Sequence, residues 1–456
     1  MSAAQVKPIV QECAPSAKSP TGFRAVTQSI ASKAVILALQ AGTGILTARE
    51  LRPWGRGELA AMILWPLLVA SVTTLGVPSS LIYFLRHRPL QRDQLIRNGF
   101  VMSLILGSAA AVITTAILPL SLHEYAPSIV RAAEWFLITV PICSLTLTGR
   151  AVLEASHDFS ASNAIQILTP AATLVALVAF LGLHNFNPYT AAISYIAASI
   201  PAFWLMARRV RRVSAWRIGT PEISVMKQIL GYGIRSYGID VLGTLALYVD
   251  QVLVIGLLEP SAMGSYVVVL SLSRMLNLFQ TSVVMVLFPK SAGRPVKDVV
   301  SITGNAVRIS TLATALCGIL VCAAGPSLLR LFYGSEYVAA AGALRILVIE
   351  VVLSGATYVL AQAFMALGRP GVVTILQATG LSLSIPLMLV LIPRWGIYGA
   401  AVSLLASTIA RLIFVIAAYR FFLNVKPPSL IPNRDDLNLL WSGVNGMLRW
   451  PTQHEI

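Results

Sequence analysis

Twelve long apolar windows, each bounded by charged or turn-forming residues, dominate this chain: 29–48, 59–85, 98–120, 132–149, 159–183, 187–207, 229–258, 262–288, 309–327, 340–367, 371–392 and 396–419. About 20 residues rising about 1.5 Å each cover a hydrocarbon core of about 30 Å, and a backbone with no water to bond crosses it only as helix or closed barrel. Windows of this length predict an all-α membrane protein of twelve transmembrane helices. Charged residues make up only 11% of the 456 positions, which excludes a soluble enzyme and leaves no room for a large soluble domain. Prolines at 66, 78, 141, 170, 201 and 386 fall inside or near the ends of windows. Membrane helices tolerate these as kinks where neighbours or hydroxyl side chains satisfy the freed carbonyls.

Loop charges set the orientation. With the N-terminus inside, the inner segments hold 22 Lys and Arg residues and the outer loops 6, with five more inside windows and Arg308 at the start of the ninth. Cytoplasmic loops collect basic residues, so both termini are expected in the cytoplasm. The net charge of +16 is then mostly topogenic, and nucleic acid is not expected as a partner. The organisation that follows is a tail over 1–28, an N-lobe over 29–207, a basic cytoplasmic linker over 208–228, a C-lobe over 229–420 and a tail over 421–456. The linker, with Arg208, Arg209, Arg211, Arg212, Trp216 and Arg217, reads as an anchor on anionic lipid.

Two short patterns recur. Leu51, Pro53 and Gly57 match Leu258, Pro260 and Gly264 at an offset of 207, and Tyr189, Ala191, Ala192, Ser194, Ala197 and Ile200 match Tyr398, Ala400, Ala401, Ser403, Ala406 and Ile409 at 209. Nearly equal offsets imply duplication of a six-span unit. An even unit inserts twice in the same orientation, giving two parallel repeats with a site between them.

Ionisable residues inside a membrane are costly and mark function by default. Windows two, three, five and six have uncharged interiors, and Lys33 in the first lies near enough the inner face to snorkel. The second half holds Arg235, Asp240, Asp250, Arg274, Arg308, Arg345, Glu350 and Arg411, a surplus of positive charge. Arg274 lies roughly 15 to 18 Å from the outer end of its window, too deep to snorkel. Asp250 sits across a tight loop from Arg274, and two readings stand: a purely structural ion pair, or a pair with a part in transport. Five residues separate Arg345 from Glu350, poor spacing for a pair on one helix. A cationic cavity lined by Arg274, Arg345, Arg411, Arg235 and Lys33 implies an anionic substrate. Asp250, Asp240 and Glu350 are the acids deep enough to couple transport to a proton or sodium ion.

At this point the chain resembles the oligosaccharide flippases of polysaccharide biosynthesis, in the multidrug/oligosaccharidyl-lipid/polysaccharide exporter superfamily. The resemblance covers residues of about 25 to 425 and rests on Thr47-Ala48-Arg49-Glu50-Leu51 with Gly57, Tyr232-Gly233-Ile234, Tyr248-Val249-Asp250, Gly264-Ser265-Tyr266, Leu287-Phe288-Pro289, Leu331-Phe332-Tyr333-Gly334-Ser335-Glu336-Tyr337, Ala366-Leu367-Gly368-Arg369-Pro370 and Gly396-Ile397-Tyr398-Gly399-Ala400-Ala401. It implies two six-helix lobes in a V, alternating access, and movement of an undecaprenyl-pyrophosphate-linked oligosaccharide from the inner to the outer leaflet of a bacterial cytoplasmic membrane. The related lipid II flippases place a cavity arginine after the span-eight Gly-Ser; Arg274 stands ten residues after Gly264. Their span-one Arg-Asp pair is replaced by Thr43 and Gly44, which argues against a peptidoglycan precursor. A monomer working with membrane lipids, glycosyltransferases and a polymerase, without a cofactor, is the implied setting.

Two rival classes remain. A multidrug exporter of the same superfamily often carries a membrane-embedded acid in the first lobe, and none is visible here. A membrane glycosyltransferase or ligase would need general-base or metal chemistry, yet His87, His123, His157, His184 and His454 all lie outside the window cores and Asp435-Asp436 is in the tail. Cys13 lies in a polar tail and Cys143, Cys317 and Cys322 in apolar runs, so neither a disulfide nor a metal site is expected.

Overall fold

The computed structural model describes residues 20–214, 220–291 and 293–430. The expectations for Cys13, Trp216, Arg217, Asp435, Asp436 and His454 lie outside them. Among the described residues all regular structure is helical: α1 Pro20–Val72, α2 Val77–His87, α3 Arg92–Ser121, α4 Pro127–Phe136, α5 Val140–Ala155, α6 Phe159–Gly182, α7 Pro188–Ala197, α8 Ser199–Val213, α9 Ile223–Leu257, α10 Pro260–Arg274, α11 Asn277–Ser291, α12 Val296–Leu328, α13 Ala341–Ala366, α14 Pro370–Trp395 and α15 Ile397–Leu423. Ten stretches are long and apolar enough to cross a membrane, or eleven when α10 and α11, bent by 41°, count as one. The chain is therefore an all-α, multi-pass membrane protein.

The count differs from twelve because the first stretch, Ala31–His87, runs through 57 residues. It is not straight. Arg52 leaves helical geometry with φ 56° and ψ 179°, immediately before Pro53. Proline supplies no N–H and disfavours helical backbone in the residue before it, which explains the position of the break. A second break separates α1 from α2, with Leu75 at φ 43° and Gly76 at φ 73°. There the backbone meets α9: a Cβ on Gly76 would lie 2.4 Å from the Gly233 carbonyl oxygen. Only glycine permits that approach with that φ.

Apolar side chains turn outward as well as inward. Val112, Ile113, Val175, Ile319, Leu320 and Ile413 are all exposed on helix faces. In water such a belt would be an aggregation surface; in lipid it costs nothing and needs no partner.

The repeated motif has a structural counterpart. A Cβ on Gly57 would lie 1.8 Å from the Pro260 carbonyl oxygen, and one on Gly264 1.9 Å from that of Pro53. Each copy of the Leu-x-Pro-x-x-x-Gly pattern thus seats its glycine on the proline of the other. Reciprocal contacts of this kind are what a local two-fold relation produces. Around this seam α1 also meets the segment after α12: the Tyr337 hydroxyl donates to the Ala48 carbonyl at 3.1 Å, and Arg52 faces Glu336 at 3.5 Å.

At the other end the halves are joined through α9. Its first turns, although they belong by sequence to the second half, pack on α2 and α3. Ser80 Oγ donates to the Ile229 carbonyl at 2.8 Å, the Glu222 amide donates to Asn98 Oδ1 at 2.8 Å, and the rings of Tyr83 and Tyr232 stack at 4.4 Å. The start of α9 thus docks on the first half before the helix crosses toward α14.

Candidate functional site

Between the seam and the α2–α9 junction lies a cavity of about 960 Å³. Its walls come from the break between α1 and α2, the end of α5, the middle of α9, the α10–α11 bend, α13, α14 and α15. The bend exposes side chains because α10 stops at Arg274 and α11 restarts at Asn277 in a new direction. Arg274, Asn277 and Gln280 therefore all reach the cavity.

Arg274 is clamped from behind. Its Nη2 donates to Asp250 Oδ2 at 3.0 Å and its Nη1 to the Leu247 carbonyl at 3.0 Å. The Tyr266 hydroxyl donates to the same Asp250 oxygen at 2.8 Å. Asp250 is fully buried and does not line the cavity, and its Oδ1 has no hydrogen-bond partner among the described residues. Arg274 keeps 28% of its side chain accessible, so one cation stands between the cavity and a sealed carboxylate.

A second cluster sits on α13, α14 and α15. Thr408 Oγ1 donates to Glu350 Oε1 at 2.7 Å, Arg411 Nη2 donates to Thr408 Oγ1 at 2.9 Å, and the Arg411–Glu350 separation is 4.0 Å. Gly380 makes room for this arginine, since a Cβ there would fall 2.5 Å from Arg411 Cδ. Buried Arg411 Nε has no acceptor among the described residues.

The third cluster lies in the first half, and it corrects the expectation that this half carries no membrane-embedded acid: Glu154 falls inside the apolar stretch Pro127–Ala155 and lines the cavity. Arg150 and Glu154 line the cavity at 3.7 Å from each other, with Ser162 Oγ donating to Glu154 Oε1 at 2.7 Å. Ending the fourth window at Gly149 assigned Arg150 to a loop, whereas α5 continues to Ala155. The legible signal was the spacing: arginine and glutamate four apart share one helix face. Gln280, Gln377 and Tyr358 were also missed, because neutral polar residues in apolar windows carry no distinguishing pattern.

Placement of the remaining expected residues corrects the cationic-cavity picture. Arg235 and Arg345 are exposed and neither lines the cavity; Lys33 is exposed and reaches toward Met285 Sδ at 3.7 Å instead. Asp240 does line it, next to Ser79 Oγ at 3.3 Å. Arg308 is a full three turns inside α12 and bonds Asn305 Oδ1 at 2.6 Å. The charged lining is thus Arg150, Arg274 and Arg411 against Glu154, Asp240 and Glu350, formally balanced rather than positive. Helix faces decide this, and a count over windows does not see faces. Chemically, the cavity offers guanidinium forks for a phosphate or carboxylate, and amides and hydroxyls for sugar hydroxyls set in a largely apolar wall.

Comparison with known proteins agrees with this architecture. The model of a family described as polysaccharide biosynthesis protein matches residues 46–342. The probable low-salt glycan biosynthesis flippase Agl15 of Haloferax volcanii is 24% identical over 212 residues, covering 45% of this chain and 44% of that protein. The match thus spans under half the length of that curated relative. Among solved structures, the lipid II flippase MurJ in an inward closed conformation superposes with a TM-score of 0.75 at 13% identity, covering 92% of each chain. An inward-facing multidrug resistance transporter of the MATE family superposes with a TM-score of 0.70 at 15% identity, covering 85% of this chain and 94% of the other.

Proposed function

This chain belongs to the polysaccharide biosynthesis protein family of the multidrug/oligosaccharidyl-lipid/polysaccharide exporter superfamily, and from that premise we propose that it is a flippase and not an enzyme. Its cargo is an undecaprenyl-pyrophosphate-linked oligosaccharide, moved from the inner to the outer leaflet of a bacterial cytoplasmic membrane by alternating access. The observation that carries the reading is Arg274, a deep guanidinium on the wall of a cavity of about 960 Å³ whose largely apolar lining also holds amides and hydroxyls such as Asn277, Gln280, Gln377 and Tyr358. The guanidinium takes the diphosphate and the lining amides and hydroxyls take the sugars.

In this reading the chain crosses twelve times in two lobes, 29–207 and 229–420. The 57-residue first stretch supports two crossings, since a straight helix of that length would be about 85 Å, far more than a core of about 30 Å. Both termini are cytoplasmic, as the loop charges favour. The seam at Gly57 and Gly264 is then the closed outer gate and the cavity belongs to the inner half. The protein acts as a monomer, handing its product to a polymerase and receiving its cargo from glycosyltransferases. Asp250, with one carboxylate oxygen unpartnered, is the site where a proton or sodium ion enters the cycle and releases Arg274.

The test is polymer export in cells. Arg274→Ala should abolish it at near-normal protein abundance, and Arg274→Lys should restore only part, because a point charge lacks the planar fork. Undiminished export in Arg274→Ala refutes the assignment.

A further inference from the structure

The three cavity arginines each face a carboxylate, at 3.7 Å for Arg150, 3.0 Å for Arg274 and 4.0 Å for Arg411. Arg56 does not. It is only 7% exposed, its Nε and Nη1 have no hydrogen-bond acceptor, and no carboxylate among the described residues pairs with it. The nearby Glu58 is engaged by Trp54 Nε1 at 3.0 Å, and Glu336 by Arg52 at 3.5 Å. Burying two guanidinium nitrogens away from water without an acceptor costs stability, and an anion reaching them would recover that cost.

Its location says when the counter-ion arrives. Arg56 adjoins Gly57, whose backbone is pressed on Pro260 in the seam, and lies within electrostatic reach of the Tyr333 and Tyr337 phenols. The seam must part for any cargo to leave by this end. Parting it exposes Arg56 and also frees two more cations. Arg49 Nε donates to the Phe332 carbonyl at 2.9 Å and its Nη2 to that of Leu331, while Arg52 pairs with Glu336, all acceptors on the second half. Arg49, Arg52 and Arg56 are three of the six basic residues in the outer loops, gathered in one loop against the bias that keeps such loops poor in cations. Insertion topology does not explain them.

We propose that Arg56, assisted by Arg49 and Arg52, is a second phosphate-binding site on the exit side of the seam, shut in this structure and uncovered when the halves part, where it takes the diphosphate of the outgoing lipid. The proposal rests on the flippase reading for its cargo and direction. It adds a step to that reading: the diphosphate passes from Arg274 to a cation that no carboxylate among the described residues neutralises. A bulk phospholipid headgroup has the same phosphate chemistry, and the test separates the two.

The experiment uses the full chain in detergent with undecaprenyl diphosphate and inorganic pyrophosphate as probes. Gly264→Leu forces the seam apart and Arg274→Ala removes the cavity site. The double variant should still bind both probes, and adding Arg56→Met should weaken both by about tenfold or more, the loss expected for charge-assisted hydrogen bonds. Binding unchanged by Arg56→Met overturns the proposal. Displacement by phosphatidylglycerol as effective as by undecaprenyl diphosphate also overturns it, making the cluster a headgroup anchor. Should Gly264→Leu fail to fold, the native seam supplies a second arm: Arg56→Met should cut polymer export by about tenfold while leaving the affinity for undecaprenyl diphosphate within about twofold, with Arg56→Lys intermediate. Full export in Arg56→Met overturns the site. The flippase reading fails separately, if the unaltered chain shows no binding of undecaprenyl diphosphate that depends on Arg274.

Discussion

Adding one methyl group at Gly57 or Gly264 is expected to shift this protein toward a state with its seam parted. The Cβ atoms would stand 1.8 Å from the Pro260 oxygen and 1.9 Å from the Pro53 oxygen, against a normal carbon–oxygen contact of about 3.3 Å, so the backbones must separate by about 1.5 Å. Neither obstacle is the flexible end of a side chain; both are carbonyl groups fixed within helices or their first turns. Overpacking of this kind costs about 1–3 kcal/mol. Alanine also gains about 0.5–1 kcal/mol of helix propensity over glycine, but both seam states keep the helix, so that gain cancels in the equilibrium between them. What remains is a shift of about 5- to 150-fold toward the parted seam. The double variant should shift by less than the product of the single effects, because the first methyl already opens the contact that the second would meet. The assay is labelling of Ala48→Cys, a seam residue with no exposed surface, by a membrane-impermeant maleimide in a chain whose four native cysteines are replaced. Faster labelling in Gly57→Ala and Gly264→Ala is the expected result. Unchanged labelling in both, at normal abundance and helicity, would refute the argument that these backbones touch.

Three further outcomes follow from the cavity. Asp250→Ala should lower thermal stability by about 3–5 kcal/mol because it strands Arg274 and the Tyr266 hydroxyl, whereas Asp250→Asn keeps an acceptor and should cost less, as measured by unfolding in detergent. A smaller loss in Asp250→Ala than in Asp250→Asn would contradict the clamp. Gly380→Val should displace Arg411 and break its bond to Thr408, reducing export more than abundance; equal export and abundance would mean that Arg411 is spare. Arg150→Ala should reduce the affinity for undecaprenyl diphosphate, and Glu154→Gln should not, since only the first removes a donor from the cavity wall. Isothermal titration of both variants decides between a cargo contact and a purely structural pair.

Much of this molecule was legible in one dimension. The bilayer imposes length and composition on each crossing, so the membrane class followed from apolar windows and an 11% charge content. That Asp250 and Arg274 stand on neighbouring helices was also readable, because a tight loop joins their windows; that they pair, at 3.0 Å, was one of two readings until the structure brought them together. The repeated Leu-x-Pro-x-x-x-Gly pattern marked two segments of the chain as alike. That the two copies clasp each other, with Gly57 on Pro260 and Gly264 on Pro53, was not readable, since a pattern records residue types and not the partner across a crossing.

The remaining features depended on helix faces and helix ends. Arg345 and Glu350 lie on one helix, yet Glu350 turns to Thr408 while Arg345 stays exposed; a five-residue step separates their faces and tertiary packing chooses which one looks inward. Arg150 entered the cavity because α5 outlasted its apolar window, and hydropathy ends where a charge begins even when the helix does not. Arg56 looked like any loop cation until the seam buried it without a counter-ion. The sequence by itself determined that the chain crosses a membrane as helices, because solvation by lipid acts on each segment separately. Only the tertiary structure decided which charges meet, which are sealed and which face the cavity, because those outcomes depend on distances between segments that no single segment contains.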